Sequence, residues 1–125
     1  MSVQRVVPNI PVGTGDEDGA NESVLRDNAA FYGLLGFEEV MNLGWIMTLA
    51  SPTRPAAQIS FMTRDATGPV NPDMSVEVAD VDAVHAALVR AGAEIVHGPQ
   101  DEEWGVRRFF VRDPNGKVVN VLSHR

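Results

Sequence analysis

Two hydrophobic rhythms alternate along this chain, a short one that suits strands and a longer one that suits helices. Arg5 to Val12, RVVPNIPV, is rich in β-branched residues and ends at Gly13, which predicts a strand. Its prolines fit an edge strand, or one whose N–H groups face no partner at those points. Ser23 is a fair helix N-cap. Val24, Asn28, Phe31, Tyr32 and Leu35 follow at helical spacing, and Gly36 is a natural stop. Phe37 to Leu43, Trp45 to Ala50 and Ala57 to Thr63 read as three more strands, broken at Gly44 and at Ser51-Pro52-Thr53-Arg54-Pro55. The order then recurs. Asp73 to Val78 predicts a strand, Asp80 an N-cap, and Val81, Val84, Leu88 and Ala91 one face of a helix that Gly92 stops. Ala93 to His97 reads as a strand and Gly98 to Glu103 as an acidic loop. Trp104 to Leu122 is a hairpin closed by Asp113-Pro114-Asn115-Gly116, where Asp accepts a backbone bond, Pro presets φ, and Asn and Gly tolerate positive φ.

The recurrence extends to residues. Leu35-Gly36-Phe37-Glu38-Glu39-Val40 lies over Ala91-Gly92-Ala93-Glu94-Ile95-Val96 with Gly, Glu and Val in common. Val12 to Gly36 is 24 positions but Val78 to Gly92 is 14, so the first copy carries an insertion at Gly13 to Glu22, acidic and glycine-rich. Each copy is a βαβββ unit, which cannot cover its own sheet and must pair with another, in the same chain or between chains. The expected fold is α+β: one domain over 1–125, with module one at 4–64, a linker at 65–71 and module two at 72–124.

Composition narrows the chemistry. A chain of 125 residues suits one domain, and the absence of cysteine removes disulfides, thiolate nucleophiles and Cys-based zinc sites, as fits a cytoplasmic protein. A formal charge of −7 argues against nucleic acid as a partner. No apolar run reaches the roughly 20 residues that span a bilayer, and MSVQRVVPNIPV lacks the basic start and apolar core of a signal peptide. Basic residues crowd the C-terminal hairpin (Arg107, Arg108, Arg112, Lys117 and Arg125), either as solvated strand-edge charges or as the seat of an anionic ligand.

Within that hairpin one residue breaks the pattern. Val118, Asn120 and Leu122 share a strand face, so an amide stands where a plain core strand would carry another valine.

Phe31-Tyr32 with Leu35-Gly36-Phe37, then Asp80-Val81-Asp82, Trp104-Gly105 and Asp113-Pro114-Asn115-Gly116, resemble the vicinal oxygen chelate superfamily of glyoxalases, extradiol dioxygenases and bleomycin-resistance proteins. The resemblance spans Arg5 to His124, and its order and spacing carry more weight than any single motif. It implies two βαβββ modules whose mixed sheet curls into a cup with helices outside, usually in a homodimer. It also implies, for enzymatic members, a divalent metal held by a His on the first strand, a Glu or His on the fourth, a His on the fifth and a Glu on the eighth. Here those positions hold Val7, Gln58 or Ser60, Asp73 and Asn120. Valine binds no metal and amide oxygens are feeble ligands for Zn, Ni, Fe or Mn. His85, His97 and His124 read as surface or rim residues. The expectation is therefore no metal and no cofactor.

What remains is a set of neutral polar groups along the implied cleft: Asn9, Gln58, Ser60, Ser75 and Asn120, with Asp73 beside them and Trp45 and Trp104 able to stack on a flat or cationic ligand. Met41, Met47 and Met62 could line an adaptable apolar pocket, or simply be core. Three functions stay open. The first is a metal-free binding protein of the bleomycin-resistance type, sequestering a drug or metabolite between subunits. The second is a lyase, isomerase or dioxygenase, with Asp73 and Glu77 as same-face carboxylates for acid–base work. The third is an interaction domain that uses the acidic insertion. The alternative to binding is that Asn9, Gln58, Ser60 and Asn120 bond one another and water in a closed polar core.

Overall fold

The computed structural model describes residues 2–13 and 20–125. Its elements are β1 (Val3–Pro11), α1 (Ala20–Gly33), β2 (Glu38–Asn42), β3 (Ile46–Ala50), β4 (Gln58–Met62), β5 (Met74–Val78), α2 (Val81–Arg90), β6 (Ile95–Asp101), β7 (Val106–Arg112) and β8 (Val118–His124). Strand, helix and three strands thus occur twice, the α+β arrangement of two βαβββ modules. The chain forms two compact units, one from Val7–Asn71 and the other from Pro72–Arg125 with the residues up to Val6. No helix among the described residues is long and apolar enough to cross a membrane.

In the unit from Val7 to Asn71 the strand order is β2-β3-β4-β1, antiparallel except for the parallel β4–β1 pair. Pairing of Ile10 with Phe61 and of Met47 with Phe61 puts these apolar residues on one face. There Leu25, Met47, Leu49 and Phe61 form a core flanked by Ile10, Ala29, Tyr32, Phe37 and Ile59. Helix α1 starts at Ala20, so Ser23 lies inside the helix instead of capping it. Its inward stripe is buried Leu25 with half-buried Ala29 and Tyr32, at steps of four and three. Phe31 and Leu35, expected on that stripe, are 61% and 66% exposed. The apolar residues of this segment occupy two faces, and Tyr32 takes the core position because Phe37 folds back beside it, its ring 6.3 Å away. Of the expected insertion, residues 14–19 lie outside the described residues; Ala20 to Glu22 form the first turn of α1.

In the other unit the order is β5-β8-β7-β6, with β5 and β8 parallel and the rest antiparallel. Val78, Val81, Phe109, Val111 and Val121 are buried together, with Val76, Val84, Leu88, Ile95 and Val119 around them. Asp80 caps α2 by accepting from the Ala83 N–H at 3.1 Å, as its position before the apolar stripe predicts. The Asp113 carboxylate accepts from the N–H groups of Asn115 (2.8 Å) and Lys117 (2.9 Å), closing the β7–β8 turn.

Strand β6 departs from expectation. Gly98 to Asp101, read from sequence as loop, continues the strand, and His97 sits within it instead of ending it. Register shifts fall between Ile95 and His97 and between His97 and Gln100. Gly98 makes the second one possible: its φ is +80°, and a Cβ there would lie 2.6 Å from the Arg108 carbonyl oxygen.

Candidate functional site

Cross-strand pairing builds the site row by row on the face of the second unit turned away from α2. Ser75 pairs with Asn120, Asn120 with Phe110, and Phe110 with His97. The next row is Glu77, Leu122, Arg108 and Gln100. Paired residues share a face, so both rows look the same way. His97 and Gln100 are three apart and would alternate in a regular strand. The bulge at Gly98 brings both to this side.

Asn120 is 93% buried. Its Nδ2 donates to Ser75 Oγ at 3.0 Å, while its Oδ1 is buried with no hydrogen-bond partner. His97 Nε2 is likewise buried and unpartnered, and the imidazole lies 5.1 Å from the Phe110 ring. Buried polar atoms without partners are uncommon and costly. Two of them flank Phe110 in one row.

Arg108, expected among solvated strand-edge charges, is 2% exposed. Alternation explains the burial: Arg107 pairs opposite Ser123 and reaches Asp82 on α2, so its neighbour must face the other way. Arg108 Nε lies 3.6 Å from Glu102 Oε1, itself buried and bonded by Gln100 Nε2 at 2.6 Å. The guanidinium carbon sits 4.8 Å from the Phe110 ring and 5.1 Å from the half-buried Trp104 ring. Arg107 and Arg112 keep the expected role of exposed ion pairs, with Asp82 and Asp101 holding the Arg107 guanidinium above its ordinary pKa through hydrogen bonds.

The two candidate carboxylates are engaged. Asp73 Oδ2 accepts from the Val118 N–H at 2.8 Å. Glu77 pairs with Arg5 Nε at 2.9 Å and with His124 Nε2 at 3.3 Å. Each works as a tie within the unit.

In the first unit Asn9 pairs with Ser60, and Ser60 with Thr48. All three are buried, with Thr48 and Ser60 hydroxyls 2.7 Å apart, and none has a buried polar atom lacking a partner. Gln58 turns its Nε2 to the Pro55 carbonyl at 2.9 Å. Half-buried Trp45 accepts at its carbonyl from Thr63, and Val7 is 3% exposed. The registers also identify Ser60, not Gln58, as the counterpart of Asn120, since Asn9–Ser60 matches Ser75–Asn120 with amide and hydroxyl exchanged. The polar cluster of this unit is closed on itself; that of the other is not.

The residues at the positions where the resemblance implies metal ligands do not fit a metal. Val7 has no donor atom, Ser60 is held by Thr48, Asp73 is a single carboxylate whose Oδ2 already accepts from a backbone N–H, and Asn120 offers one neutral oxygen. Among the described residues no group of three or more His, Asp and Glu is placed to hold one.

Sequence reasoning reached Asn120 and Ser75 but missed His97, Gln100, Glu102 and Arg108 as members of the same face. The Gly98-Pro99 step looked like a break, and paired arginines looked solvated. The signal that could have found Arg108 was alternation along VRRFFVR.

The model of the Glyoxalase/Bleomycin resistance protein/Dioxygenase superfamily matches residues 23–121. No curated protein gives a significant match. Among solved structures, one described as an NAD-dependent benzaldehyde dehydrogenase from Legionella pneumophila aligns with TM-score 0.68 at 14% identity, over 96% of this chain and 99% of that one. A methylmalonyl-CoA epimerase from Mycobacterium tuberculosis aligns with TM-score 0.64 at 20% identity, over 98% and 87%. A glyoxalase/bleomycin resistance protein/dioxygenase superfamily member from Vibrio splendidus 12B01 gives 0.61 at 15%, over 98% and 99%. At these identities the likeness is one of fold. The family match covers most of the chain, and the chain belongs to the glyoxalase/bleomycin resistance protein/dioxygenase superfamily.

Proposed function

We propose that this is a metal-independent small-molecule-binding protein that holds its ligand on the polar face of the second unit and acts as a homodimer. One observation carries the reading: Asn120 Oδ1 is buried and unpartnered, at the position where the resemblance implies a carboxylate in enzymatic members. A folded chain keeps such a group at a cost of about 1–3 kcal/mol unless a partner arrives. The engagement of Asp73 and Glu77 as structural ties supports binding over proton transfer.

Purified protein equilibrated with Zn, Ni, Fe and Mn and then desalted tests the first half of the proposal. Less than a tenth of an equivalent of any metal is expected, and a stoichiometric metal would refute it. A thermal-shift screen of aromatic, cationic and bleomycin-like molecules tests the second, since a ligand that prefers the native state raises Tm. At least one class is expected to raise Tm in a dose-dependent way; no shift with any compound would turn the reading toward an interaction domain.

A further inference from the structure

We infer that the pair Asn120 and His97 recognises a neutral hydrogen-bond donor, an amide or hydroxyl group carried on a small apolar body, and rejects anions. The inference rests on the binding reading above and supplies its ligand class.

Asn120 Nδ2 is spent on Ser75 Oγ, which leaves the buried amide oxygen as the atom without a partner. That oxygen can only accept. A ligand carboxylate or phosphate would face a buried acceptor with no proton between them.

The cations that strand pairing places on this face are already faced by carboxylates, Arg108 by Glu102 and Arg112 by Glu94, and Arg5 lies against Glu77 of the same face. His124 also lies against Glu77. An anion would have to break one of these pairs or share its arginine, whereas a neutral donor disturbs none. Val118 and Leu122, each 5% exposed, flank Asn120 along its own strand face, and Phe110 pairs opposite it, so three of its neighbours on this face are apolar. His97 adds a second buried, unpartnered nitrogen in the same row, on the other side of Phe110.

Benzamide and benzoate make the discriminating pair, because they share a planar body and differ in charge and donor. Titrated into uniformly labelled full-length protein, benzamide is expected to shift the Asn120 side-chain amide and His97 imidazole resonances saturably. Benzoate is expected to need at least ten times the concentration for any such shift. Asn120→Leu should weaken benzamide tenfold or more. Ser75→Ala, which frees the amide to turn, should narrow the preference between the two probes and gives a second readout should Asn120→Leu fail to fold. Equal or tighter benzoate binding at Asn120 would overturn the ligand class while leaving the binding reading in place. Benzamide shifts that persist in Asn120→Leu, or no shift with benzamide when other screened compounds do bind, would also overturn the inference. Failure of every screened compound would instead defeat the binding reading itself.

Discussion

Asn120 illustrates how one atom can separate a structural polar residue from a functional one. Its nitrogen does ordinary work between β8 and β5, while its oxygen does none. Replacing Asn120 by Leu removes the unpaired acceptor and a hydrogen bond, terms of about 1–3 and about 1 kcal/mol that oppose each other, and adds apolar burial. Urea unfolding should therefore find Asn120→Leu more stable than the parent by about 1 kcal/mol, a gain in stability at the position where binding is lost. Arg108 and Glu102 should respond in the opposite way. Removing one member of a buried pair strands the other, so Glu102→Ala should cost about 3–5 kcal/mol, read from the same unfolding curves. Asp113 behaves as an exposed turn acid. Its carboxylate accepts N–H bonds from Lys117 and Asn115, which hold its pKa below the ordinary aspartate value against the opposing effect of burial. A lowered pKa stabilises the fold fully above the unfolded value of ~3.9. That contribution disappears as pH falls through the folded value. The Tm gap between parent and Asp113→Asn should thus be constant near neutrality and close in acid below pH ~4.

At the level of elements, the strands with clean alternation were legible and those with shifted register were not. On β8, VVNVLSH alternates without interruption, so Val118, Asn120 and Leu122 could be assigned one face and Val119 and Val121 the other, as the core cluster bears out. On β6 two register shifts defeat a rule of period two. A Gly-Pro step also resembles the end of a strand when read alone. In α1 the helix was legible but its inward face was not, because Phe31, Tyr32 and Leu35 offer competing apolar stripes and only tertiary packing on Phe61 and Phe37 chooses Tyr32. Gly98 is the hinge of the β6 irregularity. Gly98→Ala introduces a Cβ at 2.6 Å from a backbone oxygen and a strained positive φ, so a loss of about 2–3 kcal/mol is expected. Calorimetry would show it as a lowered Tm. A smaller loss than 1 kcal/mol would mean that β6 can pair without its bulge.

At the scale of the whole chain, two modules of the same order have come to use the same strand positions differently. Internal duplication was legible because glycine stops and hydrophobic rhythm repeat at fixed offsets, and the element order of strand, helix and three strands occurs twice. Which module keeps an open polar row was not legible, since Asn9 with Ser60 and Ser75 with Asn120 look alike in sequence. Their difference comes from the third strand of each row: Thr48 supplies a hydroxyl that closes the first, whereas Phe110 supplies none and leaves the second open. The central claim is that this open row binds a small molecule without a metal. Its most direct test is the affinity of a ligand from the thermal-shift screen, measured by calorimetry for the parent and for Asn120→Leu in the presence of EDTA. The parent is expected to bind undiminished by the chelator, and Asn120→Leu to lose at least tenfold in Kd. Binding that vanishes with EDTA, or that Asn120→Leu retains in full, would contradict it.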